Sequence, residues 1–295
     1  MRDDLIRMKS LRLLSVCSIV LLIVSQTFFC FSKQGEDSSI NSVESTTPPI
    51  KRMLQVGEEL EYSVHYSFFN IGKIVFRVTD KEERNGRTVY HASAFMDSNP
   101  SLSWLADLHV RFYSEIDQDA FSYGWVSEDS TSNKVKYRKM RFDYTRKKMY
   151  FEWGETLPSG EQKQKGTDTI AITQECQDGL SLFYYAREHV LEKRQKSIPT
   201  FIDTNEVTTK INLGVENLEE EIDAVDYPID VVKLDGRAEF VGVFGLTGAF
   251  EGVFSNDLAG IPITARMKVV VGSVRVELRK WKRGDWIPPK AMTDN

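Results

Sequence analysis

The side chains of this 295-residue sequence that could do chemistry are few, and most are poorly spaced for it. His65, His91, His109 and His189 fall in separate segments. No His-x-His or H-E-x-x-H spacing brings two imidazoles onto one metal ion. They read as surface or capping histidines, with no metal and no cofactor implied. Ser181 has no G-x-S-x-G elbow around it and no base beside it. Gly242, Gly245, Gly248 and Gly252 miss the spacing of a phosphate loop. Alternating with Phe244, Phe250 and Phe254, they read as kinks in a strongly bent sheet. No residue stands out as catalytic, and the expectation is a protein that is not an enzyme.

Two groups have binding chemistry. Asp178 stands where a helix should begin, with Tyr184 and Arg187 on the face that follows. In a ligand cavity the three would form a polar anchor. In a purely structural role Asp178 is an N-cap, worth about 1 kcal/mol, and Arg187 ties the helix to its surroundings. The second group is basic. Between Lys134 and Lys148 eight lysines and arginines, among them Lys136, Arg138, Lys139 and Arg141, are interleaved with Tyr137, Phe142 and Tyr144. Such a run suits phospholipid headgroups or acidic glycans, or else forms the solvated face of an edge strand. Six acids between Glu216 and Asp226 would neutralise it if the two runs met across the fold.

The elements that must position these residues begin after an N-terminal leader. Arg2, Arg7, Lys9 and Arg12 precede an almost purely apolar stretch from Leu13 to Phe31. That is the pattern of a secretory signal, with an uncleaved membrane anchor as the alternative. Either form carries the rest of the chain out of the cytoplasm. Cys17 and Cys30 belong to this leader (residues 1–32), so the mature chain keeps Cys176 alone, read as buried. The formal net charge of −5 becomes −7 once the leader's four basic and two acidic residues are removed. That balance gives no reason to expect nucleic acid as the main partner, and three cysteines exclude a disulfide scaffold. Residues 33–55, rich in Ser, Thr, Glu and Pro, read as a flexible tether, and residues 282–295 as an irregular tail.

The body, residues 56–281, alternates with period 2, the mark of half-buried strands. Leu60, Tyr62, Val64, Tyr66 and Phe68 share one face of the first strand. Asn85-Gly86 predicts a two-residue hairpin that sets Phe76 opposite Phe95. Near the C-terminus the apolar phase flips across Gly272-Ser273. A turn there pairs 271 with 274, 269 with 276 and 267 with 278, and sets Lys268 against Glu277. Helices are two: a short one after Asn99-Pro100, and a longer one from Asp178 to about Lys193. On the longer one Leu180, Phe183, Tyr184 and Arg187 share a face, and Leu182, Tyr185 and Ala186 make the opposite face hardly polar. Such a helix should be covered on two sides.

Four blocks carry a resemblance to a known family. Val56-Gly-Glu-Glu-Leu-Glu-Tyr62 resembles its opening strand, and Ser114-Glu-Ile-Asp117 its S-x-I-D strand end. Asp178 to Arg187 is similar to its D-x-L-S-x-x-Y-x-x-R helix. Val253-Phe-Ser-Asn-Asp257, Ile261-Pro-Ile263 and Gly272-Ser-Val resemble its closing strands. The family is DUF3108, a bacterial envelope domain of unknown function. Phe254 stands where a tryptophan-like residue is common. The resemblance implies a mainly β fold: one large curled antiparallel sheet, half-barrel or spiral-like, wrapping or capped by one main helix, with one short helix besides. It implies the envelope as compartment and transfers no catalytic residue. The functional expectation is a non-enzymatic protein that binds a hydrophobic or amphiphilic ligand, or a lipidated partner, in the concavity of the sheet. The alternative is a structural or interaction module for envelope assembly, and a remote one is a hydrolase or glycan-active enzyme. The first predicts an apolar cavity open to solvent between sheet and helix. The second predicts a concavity filled by Phe183, Tyr184 and their neighbours.

Overall fold

The computed structural model describes residues 53–102, 108–130, 135–238, 248–268 and 273–292. The leader and most of the tether lie outside them, as do Lys134, Gly242 and Gly245. The chain is mostly β. Its first eight strands are β1 (Glu59–Tyr66), β2 (Phe69–Arg84), β3 (Arg87–Ser98), β4 (His109–Asp117), β5 (Ser122–Asp129), β6 (Val135–Asp143), β7 (Lys148–Thr156) and β8 (Gln162–Ala171). After an α-helix, α1 (Gly179–His189), come β9 (Gln195–Ile202), β10 (Asn205–Asn212), β11 (Asn217–Glu220), β12 (Ile229–Ala238), β13 (Gly248–Ser255), β14 (Pro262–Lys268) and β15 (Ser273–Lys282).

All the strands join one antiparallel sheet in the order β8-β7-β6-β5-β4-β3-β2-β1-β15-β14-β13-β12-β10-β9, with β11 also paired to β12. Each neighbour but one in that order is also a near neighbour in sequence, so short hairpins build the sheet. The exception is β1 against β15, where the two ends of the domain meet. The sheet curls until β9 faces β6: Arg138 lies 3.6 Å from Asp203, and the Phe142 and Phe201 rings are 5.7 Å apart. The edges do not join, and β8 projects with both faces largely exposed.

Helix α1 lies inside the curl and continues through a 3-10 turn, Val190–Glu192, to Lys193, whose positive φ ends it. Its Leu180 and Tyr184 are fully buried among Leu60, Tyr62, Ile116, Ile263 and Leu278. Phe183 stacks on Phe76, with centroids 4.2 Å apart and planes 1° from parallel. The other flank, Leu182, Tyr185 and Ala186, packs with Val190 against Ile198, Ile211, Val232, Leu234 and Phe254. Both sides of the helix are covered, which is why neither face is polar.

Local signals placed the Asn85-Gly86 turn but not the one expected at Gly272-Ser273, since Ser273 already belongs to β15 and pairs with Lys268. Asn85 and Gly86 form the expected two-residue turn with φ of +54° and +77°. Arg84 pairs with Arg87, but an irregularity between Val78 and Asp80 shifts the register by one. Phe76 therefore faces Ala94, and Phe95 faces Val75. The C-terminal register also differs from expectation: Met267 pairs with Val274, Ala265 with Val276 and Lys268 with Ser273. Glu277 faces Thr264, not Lys268. This register is displaced by an even number of residues from the predicted one, so every apolar side chain keeps its face. Alternation cannot distinguish the two. The short helix is a 3-10 turn, Pro100–Leu102, entered through a hydrogen bond from Ser101 N to Asn99 Oδ1 (2.9 Å).

The packed body starts before Val56, since Met53 and Leu54 are buried. Lys282, the first residue of the expected tail, still belongs to β15; beyond it the described residues form no helix or strand, yet they are docked. Asp230 N donates to Pro289 O (2.8 Å), Ala291 N to Pro228 O (2.9 Å), and Tyr227 Oη to Pro288 O (3.0 Å).

Candidate functional site

The candidate residues of the helix lie in a dry polar network, and the resemblance blocks meet there. At the N-terminus of α1, Asp178 is completely buried. Its Oδ1 accepts from Leu180 N (2.6 Å) and Ser181 N (2.9 Å), and Asp178 N donates back to Ser181 Oγ (2.8 Å). This is a reciprocal cap that satisfies free amides of the first turn. Ser114 Oγ, from the Ser-Glu-Ile-Asp end of β4, donates to the same oxygen at 3.0 Å. Burial pushes the Asp178 carboxyl above the usual carboxylate range, against the hydroxyl and amide groups around it that favour the anion.

Arg187 lies nine residues along the helix, roughly 13 Å from the cap at ~1.5 Å per residue. It is 2% exposed. Its two terminal nitrogens grip Glu58 in a fork, Nη1 to Oε1 at 2.7 Å and Nη2 to Oε2 at 3.0 Å, and Nη2 also donates to Ala259 O at 3.2 Å. Arg283, at the start of the tail, donates to Glu58 Oε2 and to Met53 O (3.0 Å). One buried carboxylate thus holds two buried guanidiniums. Burial works against both charges. Glu58 more than offsets it for Arg187, whose pKa is raised, whereas Arg283, repelled by Arg187 as well, is lowered. The guanidinium carbon of Arg187 sits 5.3 Å from the Tyr184 ring centroid. The Tyr184 hydroxyl is buried without a hydrogen-bond partner, and burial raises its pKa above the ordinary phenol value. The loop after β13 is fixed against the same helix. Ser255 Oγ accepts from Ile261 N (2.8 Å), and Gly260, at φ +52°, comes so close to Arg187 O that no side chain fits.

Tyr184 and Arg187 are thus brought together, Asp178 stands at the opposite end of the helix, and none of the three reaches solvent. Glu58 was legible but unread. It shares the parity of Leu60, Tyr62 and Val64, the dry face of β1, so a carboxylate there requires a buried cation.

The basic run is not assembled into one patch. No irregularity interrupts β6, so its side chains alternate. Lys136 and Arg138 point to one face, and Lys139 and Arg141 to the other. Arg138 faces Asp203; Lys139 pairs with Glu152 (3.5 Å) and Gln162 (2.7 Å); Arg141 stacks on Tyr150. The acidic run meets a different partner from the one expected. Residues 220–223 lie over β14 and β15, where Glu220 pairs with Arg275 (3.2 Å) and Asp223 with Arg279 (2.6 Å).

Cys176 is buried, and burial with Glu206 and Glu175 nearby pushes its thiol up to about 12. Among the described residues no cluster of His, Cys, Asp and Glu could hold a metal ion, and no helix is long and apolar enough to cross a membrane. An open surface pocket of about 570 Å³ lies beside the arginine network, lined by Leu54, Gln55, Asp257, Leu258, Ala259, Arg283 and Trp286.

The family model described as "Protein of unknown function (DUF3108)" matches residues 61–279. No curated protein matches the sequence. Among solved structures, a β-barrel-like protein of the domain of unknown function DUF1849 from Brucella abortus is 12% identical. It covers 78% of this chain and 98% of its own, with a TM-score of 0.46. A candidate exported protein with a YmcC-like fold from Bacteroides fragilis is 7% identical. It covers 78% of this chain and 97% of its own, with a TM-score of 0.24.

Proposed function

We propose, on the premise that this chain belongs to the DUF3108 family of proteins of unknown function, that it is a non-enzymatic interaction module of the cell envelope whose sheet is built to hold its own helix. The observation that carries this reading is the occupied concavity. Leu180 and Tyr184 are fully buried, Phe183 stacks on Phe76, and the residues resembling the family motifs are spent on the helix. A ligand in that space would have to expel α1 and strand Glu58, Asp178 and two arginines without partners, at several kcal/mol for the buried ion pairs alone. Partners, protein or lipidated protein, are then met on the outside of the sheet. Export rests on the basic start and the apolar stretch Leu13 to Phe31. Native mass spectrometry of protein purified from its own envelope, with lipid extraction, tests the reading. The expected mass is that of the polypeptide alone. A stoichiometric lipid lost together with helix α1 packing would overturn it.

A second reading keeps an amphiphilic ligand and moves it to the open pocket, where Leu54, Leu258, Ala259 and Trp286 offer apolar walls beside Arg283. In that case lipid co-purifies with the wild-type chain and is lost from Trp286→Ser, with α1 still packed.

A further inference from the structure

At the end of the sheet opposite the Asn85-Gly86 turn, β1 and β2 join through Ser67 and Phe68, with Tyr66 facing Phe69 across the hairpin. Ser67 takes a φ of +54°, as a tight two-residue turn requires. The residues that follow it are unusual for such a turn, where Gly, Asn, Asp and Ser dominate. Phe68 is 81% exposed and Phe69 53% exposed. Their ring centroids are 4.2 Å apart, so the rings pack on each other and not back onto the core. Folding gains little from two phenylalanines in this position. The base of the tip is held firmly: Asn99 Nδ2 donates to Asn70 O (2.9 Å) and Gly72 N to Asn70 Oδ1 (3.1 Å). From Tyr62 to Ile74 there is no carboxylate, and Lys73 is exposed on β2.

We propose that this tip is a membrane-contact site, and that Phe68 and Phe69 enter the interfacial layer of an anionic phospholipid bilayer with Lys73 at headgroup level. Asp97 lies across the strand pair from Lys73 but is engaged by Arg111 and His109, both at 2.7 Å, so Lys73 and Arg111 leave this end with an excess of positive charge. Paired rings beside such charge match what an anionic lipid surface attracts and an apolar boundary receives. Tyr66 pairs with Val274, so β15 begins at this same end. The contact assigned here is made by the tip alone and does not depend on how the concavity or the pocket is used.

The test uses the full chain with Phe68→Trp or, as a reference on the same strand at the other end, Lys81→Trp. Each is mixed with excess vesicles of phosphatidylcholine and phosphatidylglycerol whose chains carry bromine, a short-range quencher. Any binding made by the rest of the chain is common to both variants, so their difference reports the tip. The expected result is a blue-shifted signal for Phe68→Trp, quenched several-fold more than that of Lys81→Trp, with the excess lost on adding Phe69→Ser. Equal quenching of the two variants, or none, overturns the proposal, provided both unfold at the wild-type urea concentration. A co-purifying lipid or its absence bears on the ligand readings and leaves this result untouched.

Discussion

Glu58→Gln isolates the network that fixes the helix. The substitution keeps volume and removes one negative charge from a site where Glu58 is 2% exposed, Arg187 2% and Arg283 6%. Arg187 loses the charged half of bonds at 2.7 and 3.0 Å, and Arg283 loses its carboxylate partner too. Two guanidiniums are left facing each other without solvent. Leaving a buried charge uncompensated costs about 3–5 kcal/mol. With a urea slope of about 3 kcal/mol/M for a domain this size, the midpoint should fall by about 1–1.7 M. Urea unfolding followed by tryptophan fluorescence reads it directly, and a cycle with Arg187→Met sharpens it. In the wild-type background Arg187→Met discards a forked ion pair. In the Glu58→Gln background it relieves repulsion, so the two costs should fall short of additive by about 1–3 kcal/mol. A shift for Glu58→Gln below about 0.3 M, together with additive costs, would refute the idea that a dry ion network holds the helix, because only hydrated charges are removed so cheaply.

Three further outcomes follow from particular contacts. Asp178→Ala removes the cap of α1 and the Ser114 partner, and should lower stability by about 1–2 kcal/mol with loss of helical ellipticity. Burial alone would raise the Glu192 carboxyl, but hydrogen bonds from His189, Lys196 and Arg194 outweigh it and hold it at about 2. Its folded pKa lies below the unfolded value, so its contribution is present above about pH 4.5 and is lost as pH falls toward 2. Glu192→Gln should flatten the acid limb of a stability–pH curve measured by urea midpoints. At Gly154 an added Cβ would collide with the Lys163 carbonyl and the Tyr137 ring, whereas at Gly124 the nearest atom is 3.4 Å away. Thermal melts should show Gly154→Ala lowered by about 1–3 kcal/mol and Gly124→Ala nearly unchanged.

Much of the scaffold is written in local pattern. Alternation along β1 names its dry face, and Asn85-Gly86 names a turn because the two positive φ angles suit those residues. The apolar girdle of α1 announces a helix enclosed on both sides, since a helix with one wet face would carry a polar stripe. Parity even flags Glu58 as a buried acid. Registers are less legible. A one-residue irregularity near Thr79 leaves no mark in composition, and a register displaced by an even number of residues keeps every face, so the β14–β15 pairing was open until the strands were seen together. Partners are not legible at all. Glu58 meets Arg187 across 129 residues and Arg283 across 225, and nothing in the neighbourhood of any of the three says which cation belongs to which acid. The same holds for the basic run, which looks like one patch in a string of letters. Strand alternation sends the four charges on β6 to two faces, Lys136 and Arg138 to one and Lys139 and Arg141 to the other, and their neighbours are supplied by β7, β8 and the β9–β10 turn. The sequence by itself determined most of the strands, the Asn85-Gly86 turn and the helix, because each depends on residues a few positions apart. Only the tertiary structure decided that the helix fills the sheet, because that depends on volumes and charges brought together from opposite ends of the chain.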